Sequence, residues 1–400
     1  MSQLKQLLIE SIESLDAWIL NNGWAGYDPY DLQCAFLLHK FTKRPKIKRL
    51  HAYLFSRFNR YIPILSRKFF LVKKQINAKG MGLFTSAYSK LYQITKNESY
   101  LDKAKETAEW LLANPNKEYS NLCWGYPFDW QSLIFLPKGT PSGVATSHIG
   151  HGFWDLYQIT KEEKYLDACE SICKFFLESL NRTEKGKYFC FSYTPLDDFQ
   201  VHNANLFVAE FIVRIGVALD RQEWVKTGLA AADFTLNEQL ENGSLCYWSK
   251  EYGEKRNIPC RNDHYHSGFE MRMFYNIWKW TKEKRYKKAL DKYYKYYETT
   301  YFNEEHAPIL SPTNRLTIEV HACAEALLLN SILSKEYSQA KDILDSTAKW
   351  IIPNMQRKEG WFRYRLTKTK KKTKTIDVPY IRWGQAWMLL GLSYALETEK

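Results

Sequence analysis

The chain has 400 residues, of which 45% are hydrophobic and 16% aromatic, so it can bury a large core. No apolar run approaches the ~20 residues that a membrane-spanning helix needs. Charges at helical spacing in residues 1–20 indicate an amphipathic helix rather than a secretory signal peptide. No Pro-, Gly- or Ser-rich linker divides the sequence, and we therefore predict one domain over 1–400.

The formal net charge of +13 is concentrated near the N-terminus. Between Leu32 and Asn97 the chain has fifteen Lys and Arg residues and no Asp or Glu. We predict that 31–77 is a basic helical insertion, in which 46–74 interleaves cations with aromatic residues. This pattern is typical of a surface that contacts a membrane or an acidic partner, and a solvated basic face explains it equally well. No nucleic-acid-binding motif accompanies the charge, so we do not expect nucleic acid as a partner.

The rest of the chain repeats one helical unit. The aromatic residues that open its second helix, Tyr100, Tyr165, Trp224, Tyr286 and Tyr337, recur every 51 to 65 residues. In each unit an apolar helix precedes an amphipathic one, and a helix without a polar face must be covered on all sides. We therefore predict inner helices at 80–95, 143–160, 203–219, 266–282, 317–333 and 380–397. Outer helices are predicted at 99–113, 164–181, 221–239, 286–302 and 338–353.

These units predict an all-α fold, an (α/α)6 toroid, in which 3–20 supplies the sixth outer helix and closes the ring. The Lys-rich stretch 366–376 has few apolar residues and is predicted to be a mobile loop. Every inner helix follows a long loop, so all six N-termini should face one end of the ring. Unpaired N–H groups and the helix dipoles favour anions there.

Polar and aromatic residues concentrate at these helix starts and in the loops before them. The catalytic candidates are His202, Tyr193, His264, His266, Asp129, Asp263, Glu319 and His321. The substrate-binding candidates are Asn203, Asn205, Arg382, Trp124, Tyr126, Trp130, His148, Trp248, Tyr265, Trp361 and Trp383. Aromatic rings at the rim of a cleft suit stacking on the apolar faces of sugars.

Five strings in this region resemble those of VpsJ-type proteins: 124–130 (WGYPFDW), 191–195 (FSYTP), 202–206 (HNANL), 264–269 (HYHSGF) and 319–324 (EVHACA). In the last string Glu319 takes the place of an Asp in the family pattern. The resemblance covers about 80–397. It implies a toroid that acts in bacterial exopolysaccharide, capsule or O-antigen biosynthesis, with an oligo- or polysaccharide as partner.

Three reactions fit these residue types. Abstraction of a C5 proton from a uronic acid, as in lyases and epimerases, needs Asn203 and Arg382 to hold the carboxylate and a histidine or tyrosine to move the proton. His202, His264, His266 and Tyr193 are the candidates for that transfer. Glycoside hydrolysis needs two carboxylates, which Asp129, Asp263 and Glu319 can supply. A 2-epimerase needs two histidine bases, namely His202 or His264 together with His321. A non-catalytic glycan-binding or scaffold protein is the alternative of another class.

The eight cysteines contain no CxxC pair, and we expect reduced, buried thiols and a cytoplasmic address, with a possible peripheral contact at the inner face of the membrane. A zinc site built from His264, His266 and His321 with Cys246 or Cys260 is a minor alternative, since the spacing matches no established pattern. We expect no cofactor.

Overall fold

The computed structural model describes residues 2–34, 57–369 and 372–400. In chain order the helices are α1 (Gln3–Asn22), α2 (Pro63–Phe69), α3 (Ala78–Thr95), α4 (Glu98–Ala113), α5 (Gly143–Thr160), α6 (Glu163–Ser179), α7 (His202–Ala218), α8 (Gln222–Leu236), α9 (Lys250–Lys255), α10 (His264–Thr281), α11 (Lys284–Thr300), α12 (Val320–Leu333), α13 (Ser338–Met355) and α14 (Ala386–Glu397). A 3₁₀ helix spans Asp31–Cys34, and a π-helical turn, Ile381–Gln385, leads into α14.

The inner helices form a closed ring. α3, α5, α7, α10, α12 and α14 each pack against the next, and α14 returns to α3. The helices α4, α6, α8, α11 and α13 each lie outside the inner helix that precedes them, while α1 packs on α13 and α14 to complete the outer layer. The predicted (α/α)6 toroid is therefore confirmed. Its core is almost continuous, because the inner helices are buried on nearly every side.

Three inner helices end in the same type of helix C-cap. α3, α5 and α10 end at Lys96, Lys161 and Lys282, which adopt left-handed backbone conformations with φ of 60°, 57° and 60°. Each of these residues donates its backbone N–H to a carbonyl four residues earlier. This arrangement satisfies carbonyls that the ending helix leaves unpaired and reverses the chain into the outer helix.

Glycines allow the inner helices to approach closely. A Cβ atom on Gly391 of α14 would lie 2.6 Å from the backbone oxygen of Ala324 in α12. One on Gly150 of α5 would lie 2.4 Å from the ring of Phe211 in α7. A larger residue at either position requires the two helices to separate.

The loops contain short antiparallel strands. They are β1 (Trp130–Gln131) with β2 (Phe135–Leu136), β3 (Arg182–Lys185) with β4 (Tyr188–Phe191), and the sheet β5 (Thr317–Glu319), β6 (Arg365–Lys368) and β7 (Thr373–Ile376). Residues 366–376 were predicted to form a mobile loop, and the described parts of this stretch form the strands β6 and β7 instead of a loop. Threonine favours extended structure, and Thr317 and Thr367 face each other across the sheet with their hydroxyl oxygens 3.3 Å apart.

The predicted basic insertion lies partly within the described residues. Its C-terminal part contains α2, whose Arg67 is fully buried and pairs with Asp31 at 2.8 Å. The part of the predicted contact surface that precedes residue 57 falls outside the described residues. Within the described ranges, no helix is both long and apolar enough to cross a membrane.

Candidate functional site

The N-terminal ends of the inner helices surround a cleft of about 100 Å³. It is lined by Tyr30, Lys79, Tyr126, Phe128, Trp130, Val144, Tyr193, Asn203, Tyr247, Tyr265, His266, Phe269, His321, Arg382 and Trp383. Nine of these residues are among the candidates from the sequence: Tyr126, Trp130, Tyr193, Asn203, Tyr265, His266, His321, Arg382 and Trp383. The cleft therefore lies at the end of the ring for which the sequence predicts the functional site.

One helical position recurs around the cleft. The second residue of each inner element lines it, namely Lys79, Val144, Asn203, Tyr265, His321 and, in the π-helical turn, Arg382. The six units are arranged alike around one axis, so equivalent positions point toward that axis. The ring thus brings six segments that are distant in the sequence together around one cleft.

Lys79 is not among the candidates from the sequence, because it precedes the predicted start of the first inner helix at residue 80. Aligning the six helix starts would have found it. Tyr30 was missed because it comes from the segment before the basic insertion. Tyr247 is in a loop where the sequence singles out its neighbour Trp248.

The two cations of the cleft differ in their partners. Arg382 donates two hydrogen bonds of 2.7 Å to the carboxylate of Asp28, so its charge is neutralised locally. Lys79 is 4% exposed, and no hydrogen bond or ion pair to its ammonium group is found among the described residues. Burial, and then the charge of Arg382, lower the pKa of Lys79 well below its usual value. Lys79 is therefore a buried amine in the cleft that has no close acidic partner among the described residues.

His321 is buried in an aromatic frame. Its ring stacks on Tyr265 with 4.4 Å between centroids, Trp383 lies edge-on to it, and the tilted ring of Trp387 lies 4.7 Å away. Neither ring nitrogen has a hydrogen-bond partner among the described residues. Burial and the nearby charge of Lys79 hold the pKa of His321 well below its usual value, so the free imidazole is neutral. Its two unsatisfied nitrogens are suited to bond a ligand.

His266 is oriented by a carboxylate. Asp263 caps α10 by accepting the backbone N–H of His266 at 3.0 Å, and its other oxygen lies 2.9 Å from Nδ1 of the same residue. Because a carboxylate only accepts, Nδ1 carries the proton and Nε2 of the neutral ring has a lone pair. This arrangement prepares Nε2 as a base and stabilises the imidazolium that proton uptake creates.

Tyrosines supply neutral donors to the cleft. Tyr126 and Tyr193 both line the cleft, and burial raises the pKa of each above its usual value. Burial likewise raises the pKa values of Tyr247 and Tyr265. These phenols stay protonated at neutral pH and can donate hydrogen bonds to sugar oxygens. The side-chain oxygen of Asn203 adds a buried acceptor that has no partner in the described structure.

The carboxylates near the cleft are already paired. Glu319 accepts the indole N–H of Trp383 at 2.7 Å and forms an ion pair with Arg365. Asp263 holds His266, and Asp129 accepts the backbone N–H of Lys138 at 2.7 Å. None of the three lines the cleft. The arrangement that a hydrolase requires, two carboxylates facing the substrate, is therefore not formed by these three residues.

Several candidates face away from the cleft because of helical geometry. Residues two positions apart differ by about 200° around a helix, so a residue two positions from a cleft residue points to the opposite side of the helix. His264 bonds the Tyr297 hydroxyl through Nε2 at 3.0 Å, and burial lowers its pKa to about 3. Asn205 bonds the backbone of Phe191 and Ala231. The placement of His264 and Asn205 in the structure is that of packing residues.

His202 and Trp248 line a different cavity of about 510 Å³ on the other side of the cleft wall. His202 lies 3.2 Å from Glu238 through Nε2 and 3.1 Å from Thr235 through Nδ1. Trp248 stacks on Tyr252 at 5.0 Å. The structure therefore does not bring His202 and Trp248 together with the cleft residues.

The remaining candidates are structural or peripheral. The buried indole of Trp124 donates to the backbone oxygen of Leu111 at 3.2 Å. His148 lies below the cleft and bonds the oxygen of Val144 through Nδ1 at 2.7 Å. Trp361 is half-buried in a turn and is not part of the cleft lining.

The cysteine expectation is wrong for one pair. Cys246 and Cys260 form a disulfide, which removes both thiolates from the zinc alternative. His264 and His266 also point to different sides of α10, and no metal-binding group of three or more His, Cys, Asp or Glu occurs within the described ranges. The free cysteines among the described residues, Cys123, Cys169, Cys173, Cys190 and Cys323, are buried as expected.

Fold and cleft define a toroid of the six-hairpin class, and comparisons with known proteins agree. Residues 80–242 match the family model for Glycosyl Hydrolase Family 88. The structure is similar to the cellobiose 2-epimerase from Bacillus thermoamylovorans B4167, with a TM-score of 0.61, 12% identity, and coverage of 80% of this chain and 87% of that chain. At the level of sequence, no curated protein matches.

Two further solved structures share the fold. An unsaturated glucuronyl hydrolase specific for heparin has a TM-score of 0.62 and 10% identity, with 99% of this chain and 97% of that chain covered. A polysaccharide lyase has a TM-score of 0.57 and 12% identity, with 80% and 90% covered. These similarities confirm the toroid fold. The VpsJ-type resemblance stays a prediction.

Proposed function

We propose that this protein is an enzyme that abstracts the C5 proton of a uronic acid in an acidic glycan, leading to a lyase or epimerase product. The observation that carries the proposal is Lys79, a buried amine that lines the cleft and forms no ion pair with a carboxylate among the described residues. A substrate carboxylate supplies the missing partner, and its charge favours the protonated amine.

The chain's own residues provide the other roles. The side-chain amide N–H of Asn203 and the ammonium group of Lys79 donate to the carboxylate, and Arg382 lies beside it while Asp28 neutralises the guanidinium. His266 Nε2 takes the proton from C5, and the C–H electron pair moves into the carboxylate to form an enediolate. Asp263 stabilises the resulting imidazolium.

The second half of the reaction decides the product. Return of a proton to the opposite face of C5, from a donor such as Tyr193 or His321, gives the epimer. Expulsion of the oxygen at C4, with protonation of that oxygen by Tyr193, gives the unsaturated lyase product. Trp130 and Trp383 serve as platforms for the sugar rings.

A second candidate is a 2-epimerase, favoured by the two histidines His266 and His321 at one cleft. Abstraction of the proton at C2 of an open-chain reducing sugar requires the same pair of bases but no carboxylate site. In this proposal His266 takes the place of His202 or His264 as the partner of His321, because His202 and His264 do not face the cleft. Hydrolysis through Asp129, Asp263 and Glu319 is disfavoured by their existing partners.

The test is NMR of the protein incubated in D₂O with acidic and neutral bacterial glycans. Deuterium at C5 of a uronate, or a new unsaturated end, supports the proposal. Deuterium at C2 of a reducing sugar supports the 2-epimerase. New reducing ends without exchange indicate hydrolysis, and affinity without any product indicates a binding protein.

Variants connect the chemistry to named residues. His266→Gln should lower the exchange rate by about 10²- to 10⁴-fold, whereas His264→Gln, its neighbour outside the cleft, should retain exchange in the folded protein. Lys79→Met should weaken uronate binding by about 10- to 100-fold, the worth of a charged hydrogen bond. The same variant should bind the carboxyl-reduced glycan like the wild type. Equal losses for both glycans contradict the role of Lys79.

The VpsJ-type strings support a place in bacterial polysaccharide biosynthesis. We infer that the substrate is a glycan intermediate of such a pathway. The cytoplasmic address expected from the sequence is opposed by the Cys246–Cys260 disulfide, since disulfides persist mainly in oxidising compartments.

A further inference from the structure

An exposed apolar face lies on the basic segment beside the cleft. Six large hydrophobic residues between positions 61 and 71 are exposed, namely Tyr61, Ile62, Ile64, Leu65, Phe69 and Leu71. Leu65 is 62% exposed, Phe69 74% and Leu71 84%. Leu65 and Phe69 stand four positions apart in α2, so they share one side of that helix. Large apolar side chains clustered in this way mark an interaction surface.

The charges around this face have one sign. Residues 57–74 include six Lys and Arg and no Asp or Glu. Lys68 and Lys73 are exposed, and in the described parts of the chain neither one contacts a carboxylate. The face therefore suits a partner that is apolar and anionic at once.

The opposite side of α2 is fixed to the ring. The buried guanidinium of Arg67 pairs with Asp31 and donates to the backbone oxygen of Asp28 at 2.7 Å. Asp28 in turn holds Arg382 in the cleft. The exposed face is thus carried on a rigid support that leads directly to the cleft wall.

We propose that residues 57–74 dock the protein on an anionic lipid bilayer. Leu65, Phe69 and Leu71 enter the boundary between head groups and acyl chains, while Lys68 and Lys73 remain at the level of the phosphates. The interfacial region of an anionic bilayer offers both the apolar layer and the negative charge that this face requires. Docking through this face holds the cleft near the membrane surface. The inference does not depend on the reaction proposed above.

Flotation with vesicles tests the inference. The full chain should float with vesicles of phosphatidylglycerol and phosphatidylcholine and should stay behind with phosphatidylcholine alone. Lys68→Gln/Lys73→Gln should bind the anionic vesicles about 30-fold more weakly, and salt should weaken the wild type. Leu65→Ser/Phe69→Ser should lose flotation, with an unchanged circular dichroism spectrum and melting temperature.

The matched control is Leu196→Ser/Leu316→Ser, which alters two leucines that are 55% and 59% exposed outside this segment. It should float like the wild type. Failure of the wild type to float, equal flotation with both kinds of vesicle, or an equal loss in the control overturns the proposal. So does a concentration-dependent dimer in sedimentation velocity that Leu65→Ser/Phe69→Ser abolishes, since a second copy then covers the face.

Discussion

The ion pair between Asp28 and Arg382 should contribute strongly to stability. Both side chains are nearly inaccessible, and two hydrogen bonds of 2.7 Å join them. At that distance, and with an effective dielectric constant of about 20, Coulomb's law gives an attraction of about 6 kcal/mol. Asp28→Asn keeps the shape and some hydrogen bonding but leaves the charge of Arg382 buried and unpaired. We expect it to lower the free energy of unfolding by about 3–5 kcal/mol.

Equilibrium urea unfolding, followed by tryptophan fluorescence and circular dichroism, measures this loss. The double variant Asp28→Asn/Arg382→Met should be more stable than Asp28→Asn alone, because the charge that lost its partner is removed as well. Glu251→Gln breaks the exposed pair with Lys255 and should cause no measurable change. A loss below about 1 kcal/mol for Asp28→Asn, or a double variant as unstable as the sum of the two single variants, refutes the reasoning.

Three further predictions concern stability. Lys161 has a positive φ, which glycine adopts without strain, so Lys161→Gly should raise the free energy of unfolding by about 0.5–1 kcal/mol. Lys174→Gly, within the helix α6, should instead lower the free energy of unfolding by about 1 kcal/mol. Urea unfolding of the two variants measures both changes. His264 has a pKa of about 3 in the folded chain and near 6.5 when unfolded. The unfolded state therefore binds more protons between these values, and stability falls as the pH drops below 6.5. In urea unfolding, the loss of stability per pH unit below 6.5 should be about 1.4 kcal/mol smaller in His264→Gln than in the wild type. An unchanged dependence of stability on pH in this variant contradicts the prediction. Reduction of Cys246–Cys260, which closes a loop with a sequence separation of 14, should cost about 3 kcal/mol, and thermal unfolding with and without dithiothreitol tests this. Equal melting temperatures contradict that prediction.

The cleft was predictable at the level of its location but not of its full membership. His264 and His266 look equivalent in the sequence, and both follow a loop at the start of an inner helix. In the structure Asp263 fixes α10 in register, so His266 faces the cleft and His264 faces Tyr297. Lys79 carries no motif at all, and it becomes notable only because its helical position matches that of His321.

Chain-distant pairings were beyond the sequence for the same reason. Arg382 looked like a substrate-binding cation, yet Asp28, 354 positions earlier, neutralises it. Cys246 and Cys260 showed no recognisable spacing, but the loop that contains Tyr247 brings them together. The Lys-rich stretch became strands because β5 offered it a partner, which local composition does not reveal.

The sequence by itself determined the ring. Helices that are apolar on every side must be enclosed, and an amphipathic helix that follows each of them at a regular period provides the enclosing layer, so periodicity suffices to predict an (α/α)6 toroid. The tertiary structure alone decided which side chains meet in the cleft and which charges there are already neutralised. Those outcomes depend on helix rotation and on contacts between residues hundreds of positions apart, and neither is encoded in a local pattern.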